Sequence, residues 1–146
     1  MIITCMNNSH VPQIAELEKM CFNDPWSINS ISSELDNRLS LWLVAVEEDR
    51  VIGYVGSQTV LGETDMMNIA IHPDHRKRGI ATALIESLIQ KLTEQGSHSL
   101  MLEVRASNEP AKSLYAKIGF IAVGIRKNYY RNPREDALIL RKEWGL

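Results

Sequence analysis

The segment HPDHRKRGIATALIESLIQKL, residues 72–92, places basic side chains directly before a glycine and a helical pattern. After Gly79, apolar residues recur at helical spacing and predict a helix: Ala83, Leu84, Leu88, Ile89 and Leu92. Free main-chain N–H groups at a helix start attract anions, and glycine lets a phosphate approach the backbone closely. The segment matches neither a P-loop nor a Gly-x-Gly-x-x-Gly fingerprint. A phosphate cradle and a solvated loop therefore both stay open.

Outward from this segment, alternating apolar patterns predict strands, and capping residues predict helices. A two-stranded hairpin and a third antiparallel strand precede the segment, and a strand of nearly continuous apolar character follows it. This order predicts a mixed sheet with helices on its faces. The predicted strands are residues 1–5, 41–46, 51–61, 64–71, 99–104, 120–130 and 137–144, and the predicted helices follow Ser9, Ser27, Gly79 and Asn108.

Length and composition exclude several classes of protein. The 146 residues fit one domain, 1–146, and a net charge of -2 argues against a dedicated nucleic-acid binder. No secretion signal and no apolar run of about 20 residues is present, which predicts no membrane segment. Cys5 and Cys21 lack metal or disulfide spacing and favour a reducing, cytoplasmic compartment. His72 and His75 have no further ligands beside them, so no metal is expected.

Several motifs together resemble one enzyme family. RKRGIA, residues 76–81, resembles the pyrophosphate loop of the GNAT acyltransferase superfamily, with Ala81 where many members carry a second glycine. Four further segments resemble ribosomal-protein-alanine N-acetyltransferases of the RimI type: FNDPWS (22–27), LEVRASN (102–108), SLYAKIGF (113–120) and NYYRNPREDA (128–137). The resemblance covers nearly the whole chain. It implies a GNAT-like α/β (α+β) fold, with a mixed, mostly antiparallel central sheet flanked by about four helices.

The resemblance also implies acetyl-CoA as co-substrate, with no metal, and a set of residues that bind it. Backbone amides of the glycine loop would hold the pyrophosphate, and the strand before it would face the pantetheine arm. Asn108 is equally a helix cap, and the side chains of the strand are equally core. The implied residues are Ile69, Ala70, Ile71, Lys77, Arg78, Gly79, Ile80, Ala81, Thr82 and Asn108.

Two residues fall at the family's catalytic positions. Glu103 shares a strand face with Met101, and a carboxylate beside apolar neighbours suits a general base; a solvated glutamate is the alternative. The resemblance makes Glu103 the proton acceptor, acting directly or through water. Tyr115 would donate to the leaving thiolate, or be a half-buried tyrosine with a wet hydroxyl. A thiol is more acidic than a phenol, so hydrogen bonding to the thiolate is favoured over full proton transfer.

The acceptor is less well defined by sequence. Trp26, Tyr129, Tyr130 and Glu135 resemble residues that flank the family's peptide cleft, although the aromatic residues could equally be packing at its rim. The resemblance implies acetylation of the N-terminal alanine of a small-subunit ribosomal protein, without nucleic acid or membrane. Alternatives are other N-termini, internal lysines, a small amine, a non-catalytic acyl-CoA-binding module or a nucleic-acid module. The oligomeric state is left open.

Overall fold

The computed structural model describes residues 1–145, which form a seven-stranded sheet with helices on both faces. Within these residues the strands lie in the order β1-β2-β3-β4-β5-β7-β6, and only β4 and β5 pair in parallel. The predicted mostly antiparallel sheet with four helices is confirmed. The elements are β1 (Ile2–Cys5), α1 (Val11–Cys21), α2 (Ile28–Ser33), β2 (Ser40–Glu47), β3 (Arg50–Val60), β4 (Glu63–Ile71), α3 (Ile80–Glu94), β5 (Ser99–Arg105), α4 (Glu109–Ile118), β6 (Ile121–Arg131) and β7 (Arg134–Glu143).

Strand alternation divides the core into two layers, one on each face of the sheet. Trp42 and Val44 of β2 pack towards α1 and α2, whereas Leu43 and Ala45 pack towards α3 and α4. Successive side chains of a strand point to opposite faces, so a strand buried on both faces reads as continuously apolar. The segment LWLVAV at 41–46 has this character because the helices cover both faces.

The starts of the first two helices test the predicted caps. Ser27 caps α2 as predicted, since its Oγ accepts a hydrogen bond from the backbone N–H of Ser30 at 3.1 Å. Ser9 does not cap α1. Asn7 instead accepts from the Ser9 N–H and opens a single 3-10 turn, Asn8–His10, which leads into α1. The helical spacing of Val11, Ile14, Leu17 and Met20 predicts one buried face of α1. The first three are buried, but the face ends early because Met20 is 55% exposed.

Candidate active site

The site begins where β4 and β5 separate. The two strands pair only from Glu63 to Asp65 on β4 and from Ser99 to Met101 on β5. Beyond these residues, no strand within residues 1–145 pairs with that edge of β4, and the gap opens towards the carboxyl ends of both strands. Such an opening exposes main-chain N–H and C=O groups that a bound molecule can contact.

A cavity of about 720 Å³ fills this opening. Its walls come from β4, β5, α4, the segment between α1 and α2, and the end of β6. The chain therefore brings together residues from both halves of the sequence, including most of the predicted catalytic and acceptor residues. Lining residues that the argument uses are Trp26, Asn68, Ile69, Glu103, Asn108, Tyr115, Tyr129 and Tyr130.

Glu103 reaches the cavity from the middle of β5. Its neighbours Leu102 and Val104 are buried on the opposite face, as the alternation predicts, whereas the Glu103 side chain keeps 22% of its surface exposed. The surroundings are less apolar than expected, because the Arg126 Nε donates to Glu103 Oε1 at 3.1 Å. Among the described residues, Oε2 has no hydrogen-bond partner and is available to take a proton.

Tyr115 enters the same cavity from α4. Its ring is buried and packs edge-on against Phe120, with the ring centroids 5.6 Å apart. Burial, with a smaller contribution from the nearby Tyr130 phenol, raises the pKa of Tyr115 to about 12. No residue in the described range hydrogen-bonds to its side chain. The hydroxyl is therefore a neutral donor without a partner in the described part of the chain.

The glycine loop forms the start of α3. Lys77 and Gly79 both take left-handed backbone conformations, with φ of 63° and 77°. No side chain from the described residues caps α3, which leaves its first N–H groups free for an anion. A Cβ at Gly79 would meet nothing within 4 Å and would lie in open space. This geometry suits a phosphate, which needs close access to the amides.

The Arg78 side chain does not face this space as a free cation. Its guanidinium makes two hydrogen bonds with the Glu47 carboxylate, at 2.7 and 3.3 Å, and a third contact with His75 Nδ1 at 2.7 Å. Hydrogen bonding from Arg78 lowers the pKa of Glu47. Arg78 thus ties the glycine loop to the end of β2, and its role in binding acetyl-CoA stays a prediction.

Asn108 caps a helix and Ala70 belongs to the core, which are the alternatives considered from sequence, while Asn108 and Ile69 also line the cavity. The Asn108 Oδ1 caps α4 by accepting from the Ala111 N–H at 3.2 Å. Ala70 is buried, and Ile69 lines the cavity while its N–H donates to Asn68 Oδ1 at 3.1 Å. The Ile71 carbonyl accepts from Arg76 Nε at 3.3 Å. A role for these groups in binding acetyl-CoA stays a prediction.

Three of the four predicted acceptor residues line the cavity, and the fourth supports it. Trp26 lies on the side of α1 and α2, facing Tyr129 and Tyr130 on β6. Glu135 does not line the cavity: its carboxylate accepts from the Ser107 N–H at 2.6 Å and from Arg105 Nη1 at 3.4 Å. Hydrogen bonding from Ser107 lowers the pKa of Glu135. Glu135 is therefore engaged within the fold rather than presented to a basic peptide.

Several residues around the cavity were not singled out from the sequence. The Arg105 guanidinium lies 4.3 Å from the centre of the Tyr130 ring and bridges this tyrosine to Glu135. Glu18 is buried on α1 and accepts from the Trp26 N–H at 2.8 Å and from Asn68 Nδ2 at 2.7 Å. Its position on the apolar stripe of α1 was a visible signal, since a charged residue there is uncommon.

Residues 1–145 contain no group of three or more histidine, cysteine or acidic side chains that could hold a metal ion. None of the helices in the same range is long and apolar enough to cross a membrane.

Comparisons of this sequence with a family model and with curated proteins point to the same family. Residues 11–120 match the model of the acetyltransferase (GNAT) family. The chain is 39% identical to the ribosomal protein bS18-alanine N-acetyltransferase of Haemophilus influenzae, over 95% of this chain and 96% of that protein. Identity to the Escherichia coli enzyme of the same name is 35%, over 94% of each chain.

A solved structure agrees with these sequence matches. The crystal structure of the ribosomal-protein-S18-alanine N-acetyltransferase from Escherichia coli superposes with a TM-score of 0.91. The match covers 99% of this chain and 94% of that one, at 33% sequence identity. The chain therefore belongs to the GNAT family of acetyltransferases.

Proposed function

We propose that the protein transfers the acetyl group of acetyl-CoA to the α-amine of the N-terminal alanine of ribosomal protein bS18. One observation carries the proposal: Glu103 from β5 and Tyr115 from α4 line the same cavity, between strands that have separated. The proposed acceptor is taken from the relatives, which are named ribosomal protein bS18-alanine N-acetyltransferases. The proposed partner is thus a protein N-terminus, and the proposed compartment is the cytoplasm. The whole chain, 1–146, is proposed to act as one domain.

Glu103 acts on the incoming amine. An α-amine has a pKa of about 7.7–8.0, so roughly a tenth is already neutral at pH 7. The amine nitrogen attacks the thioester carbonyl and forms the new C–N bond. Glu103 Oε2, which lacks a hydrogen-bond partner within residues 1–145, accepts the proton that the nitrogen must lose. Arg126 fixes the other carboxylate oxygen and so sets the direction in which Oε2 points.

Tyr115 acts on the leaving group. As the C–S bond breaks, negative charge collects on sulfur, and the Tyr115 hydroxyl donates a hydrogen bond to it. Full proton transfer is unfavourable: a thiol pKa of about 8.5, against about 12 for Tyr115, makes it uphill by about 5 kcal/mol. The thiolate takes its proton from solvent after release. The phenol therefore stays protonated throughout and stabilises charge.

Main-chain amides at the start of α3 are proposed to bind the pyrophosphate, and Gly79→Ala tests this. An added Cβ would lie in the open space around Gly79, which the pyrophosphate is proposed to fill. The dissociation constant for acetyl-CoA should therefore rise about tenfold, as expected for loss of one or two charge-assisted hydrogen bonds. Isothermal titration calorimetry measures this constant directly.

Gly96→Ala is the matched control for Gly79→Ala. Gly96 follows the other end of α3, has a φ of 90°, and an added Cβ there would also meet nothing within 4 Å. Both variants should lose about 1–2 kcal/mol of unfolding free energy, because alanine is strained at positive φ. Equal acetyl-CoA affinity in the two variants would contradict pyrophosphate binding at Gly79.

The acceptor is tested with a pair of peptides and with bS18 itself. Both peptides carry the same sequence, begin with alanine and contain an internal lysine, and one has its N-terminus blocked by acetylation. We expect acetyl transfer to the free N-terminus and no transfer to the blocked peptide, mapped by mass spectrometry. Acetylation of the lysine in the blocked peptide would show a different acceptor. Binding of acetyl-CoA without transfer to the peptides or to bS18 would contradict the proposal.

A further inference from the structure

We propose that Glu18 is a positioning residue for acetyl transfer, whose carboxylate joins the wall of the cavity at Trp26, a predicted acceptor residue, to β4 at Asn68. The inference rests on the proposed function for its kinetic consequences. Glu18 does not line the cavity, but two of its three hydrogen-bond donors, Trp26 and Asn68, do. Its effect on substrates is therefore exerted through these two residues.

Among the residues that the structure describes, three donors and no cation hold Glu18. Its side chain lies on the buried face of α1, and the residue is 1% exposed. The Trp26 N–H donates to Oε1 at 2.8 Å, while Asn68 Nδ2 donates to Oε2 at 2.7 Å, and the Tyr54 hydroxyl also donates to Oε2. No lysine, arginine or histidine among the described residues forms an ion pair with it.

Stability alone does not require a charge at this position. Burial raises the pKa of Glu18 to about 6, which shows that the ionised form is disfavoured by its surroundings. Buried ionic groups can often be replaced by apolar side chains of similar volume without loss of stability. What an apolar side chain could not do is accept hydrogen bonds from three separate elements at once.

The three donors come from three separate elements, two of which, those of Trp26 and Asn68, line the cavity. Trp26 belongs to the connection between α1 and α2, Tyr54 to β3 and Asn68 to β4. The Trp26 ring also rests edge-on against Trp42, at 5.3 Å between centroids, and Trp42 stacks on Tyr54 at 5.6 Å. Glu18 thus fixes the main chain at Trp26, while the aromatic stack fixes its ring.

The network continues into the strand predicted to face acetyl-CoA. Asn68 donates to Glu18 through Nδ2, and its Oδ1 accepts from the Ile69 N–H at 3.1 Å. The amide of Asn68 is therefore oriented at both ends. Through Trp26 and Asn68, one buried carboxylate sets the spacing between the wall where an acceptor would lie and the strand where the thioester would lie.

The inference is tested by exchanging donor and acceptor in the hydrogen bond between Asn68 and Glu18. In Glu18→Gln, an NH₂ group replaces one of the two accepting oxygens, so at least one of the three donors loses its acceptor. The KM for the acceptor peptide should rise about tenfold, with kcat less affected, as expected for an unsatisfied buried donor. Asn68→Asp alone should also impair the enzyme, because two carboxylates would then face each other.

The double variant Glu18→Gln with Asn68→Asp should recover, because the glutamine NH₂ then donates to the aspartate. We expect its peptide KM to return to within about threefold of wild type, consistent with a restored buried hydrogen bond. Glu16→Gln, an exposed substitution on the same helix, is the matched control and should behave as wild type. A peptide KM unchanged in Glu18→Gln, or no recovery in the double variant, would overturn the inference.

Hydrogen exchange provides a readout that needs no substrate. Exchange across residues 22–27, followed by mass spectrometry, should be faster in Glu18→Gln than in wild type and slower again in the double variant. If wild type fails to acetylate the peptide while exchange responds in this way, the acceptor assignment is wrong and the positioning network stands. Unchanged exchange in Glu18→Gln would overturn the inference whatever the activity.

Discussion

Replacing Glu103 by glutamine is expected to lower kcat for N-terminal acetylation by about 10²–10⁴-fold, the usual contribution of a general base. Glutamine has nearly the same shape and can still accept the Arg126 hydrogen bond through its oxygen. It cannot take a proton at the position of Oε2, which has no partner within residues 1–145. Steady-state kinetics with an alanine-initiated peptide measure kcat, and calorimetry should give an unchanged dissociation constant for acetyl-CoA.

Glu63→Gln is the matched control for this substitution. Glu63 lies at the start of β4, where β4 and β5 still pair, and its carboxylate also binds an arginine, with Arg141 Nη2 at 3.2 Å. The chemical change and the type of lost ion pair are the same, but the site is at the closed end of the strands. Glu63→Gln should keep the wild-type kcat. A wild-type kcat in Glu103→Gln would remove the proposed role of Glu103.

The elements that surround the cavity could be predicted because their signals are local. Alternation along β5 placed Leu100, Leu102 and Val104 on one face and Glu103 on the other, and the structure buries the first three. Asn108 was recognised as a cap because its side chain and the N–H that it binds are three residues apart. Caps and strand alternation depend on neighbours in sequence, which a single chain displays directly.

Two predictions about α1 were wrong, one about the residue that caps it and one about the extent of its apolar face. Asn7 and Ser9 both suit the start of a helix, and the structure uses Asn7 to open a 3-10 turn before α1. Met20 fitted the helical spacing but lies in the last turn of α1, where the chain turns away and leaves it exposed. Spacing specifies the face of a helix, whereas its distance from the core depends on what packs against each turn.

The contacts that tune the site could not be predicted from local pattern. Arg126 pairs with Glu103, Arg78 with Glu47 and Asn68 with Glu18, at separations of 23, 31 and 50 residues. Each pair joins elements that meet only in the tertiary fold. The resemblance to known enzymes indicated which residues to consider, but it did not indicate that Glu135 is occupied by Ser107 and Arg105.

Replacing Tyr115 by phenylalanine is expected to lower kcat by about 10²–10³-fold, the usual effect of removing one donor to developing negative charge. The change should not disturb the fold. The hydroxyl has no hydrogen-bond partner among the described residues, and the ring, which packs on Phe120, is kept. Thermal unfolding should therefore match wild type, and acetyl-CoA should still bind. A wild-type kcat would remove the proposed role of Tyr115.

The pH dependence of the kcat loss in Tyr115→Phe tests whether the Tyr115 phenol has a raised pKa or the ordinary one. An unperturbed phenol has a pKa of about 10 and would lose its hydrogen-bonding proton near that pH, so wild-type kcat would fall towards the variant. Burial raises the pKa of Tyr115 to about 12, which moves that loss above the range of the assay. The ratio of wild-type to Tyr115→Phe kcat should therefore stay constant from about pH 7 to pH 10, because Tyr115 remains protonated throughout. A ratio that shrinks on approaching pH 10 would show that the phenol ionises there, and that the cavity is more polar around Tyr115 than its burial indicates.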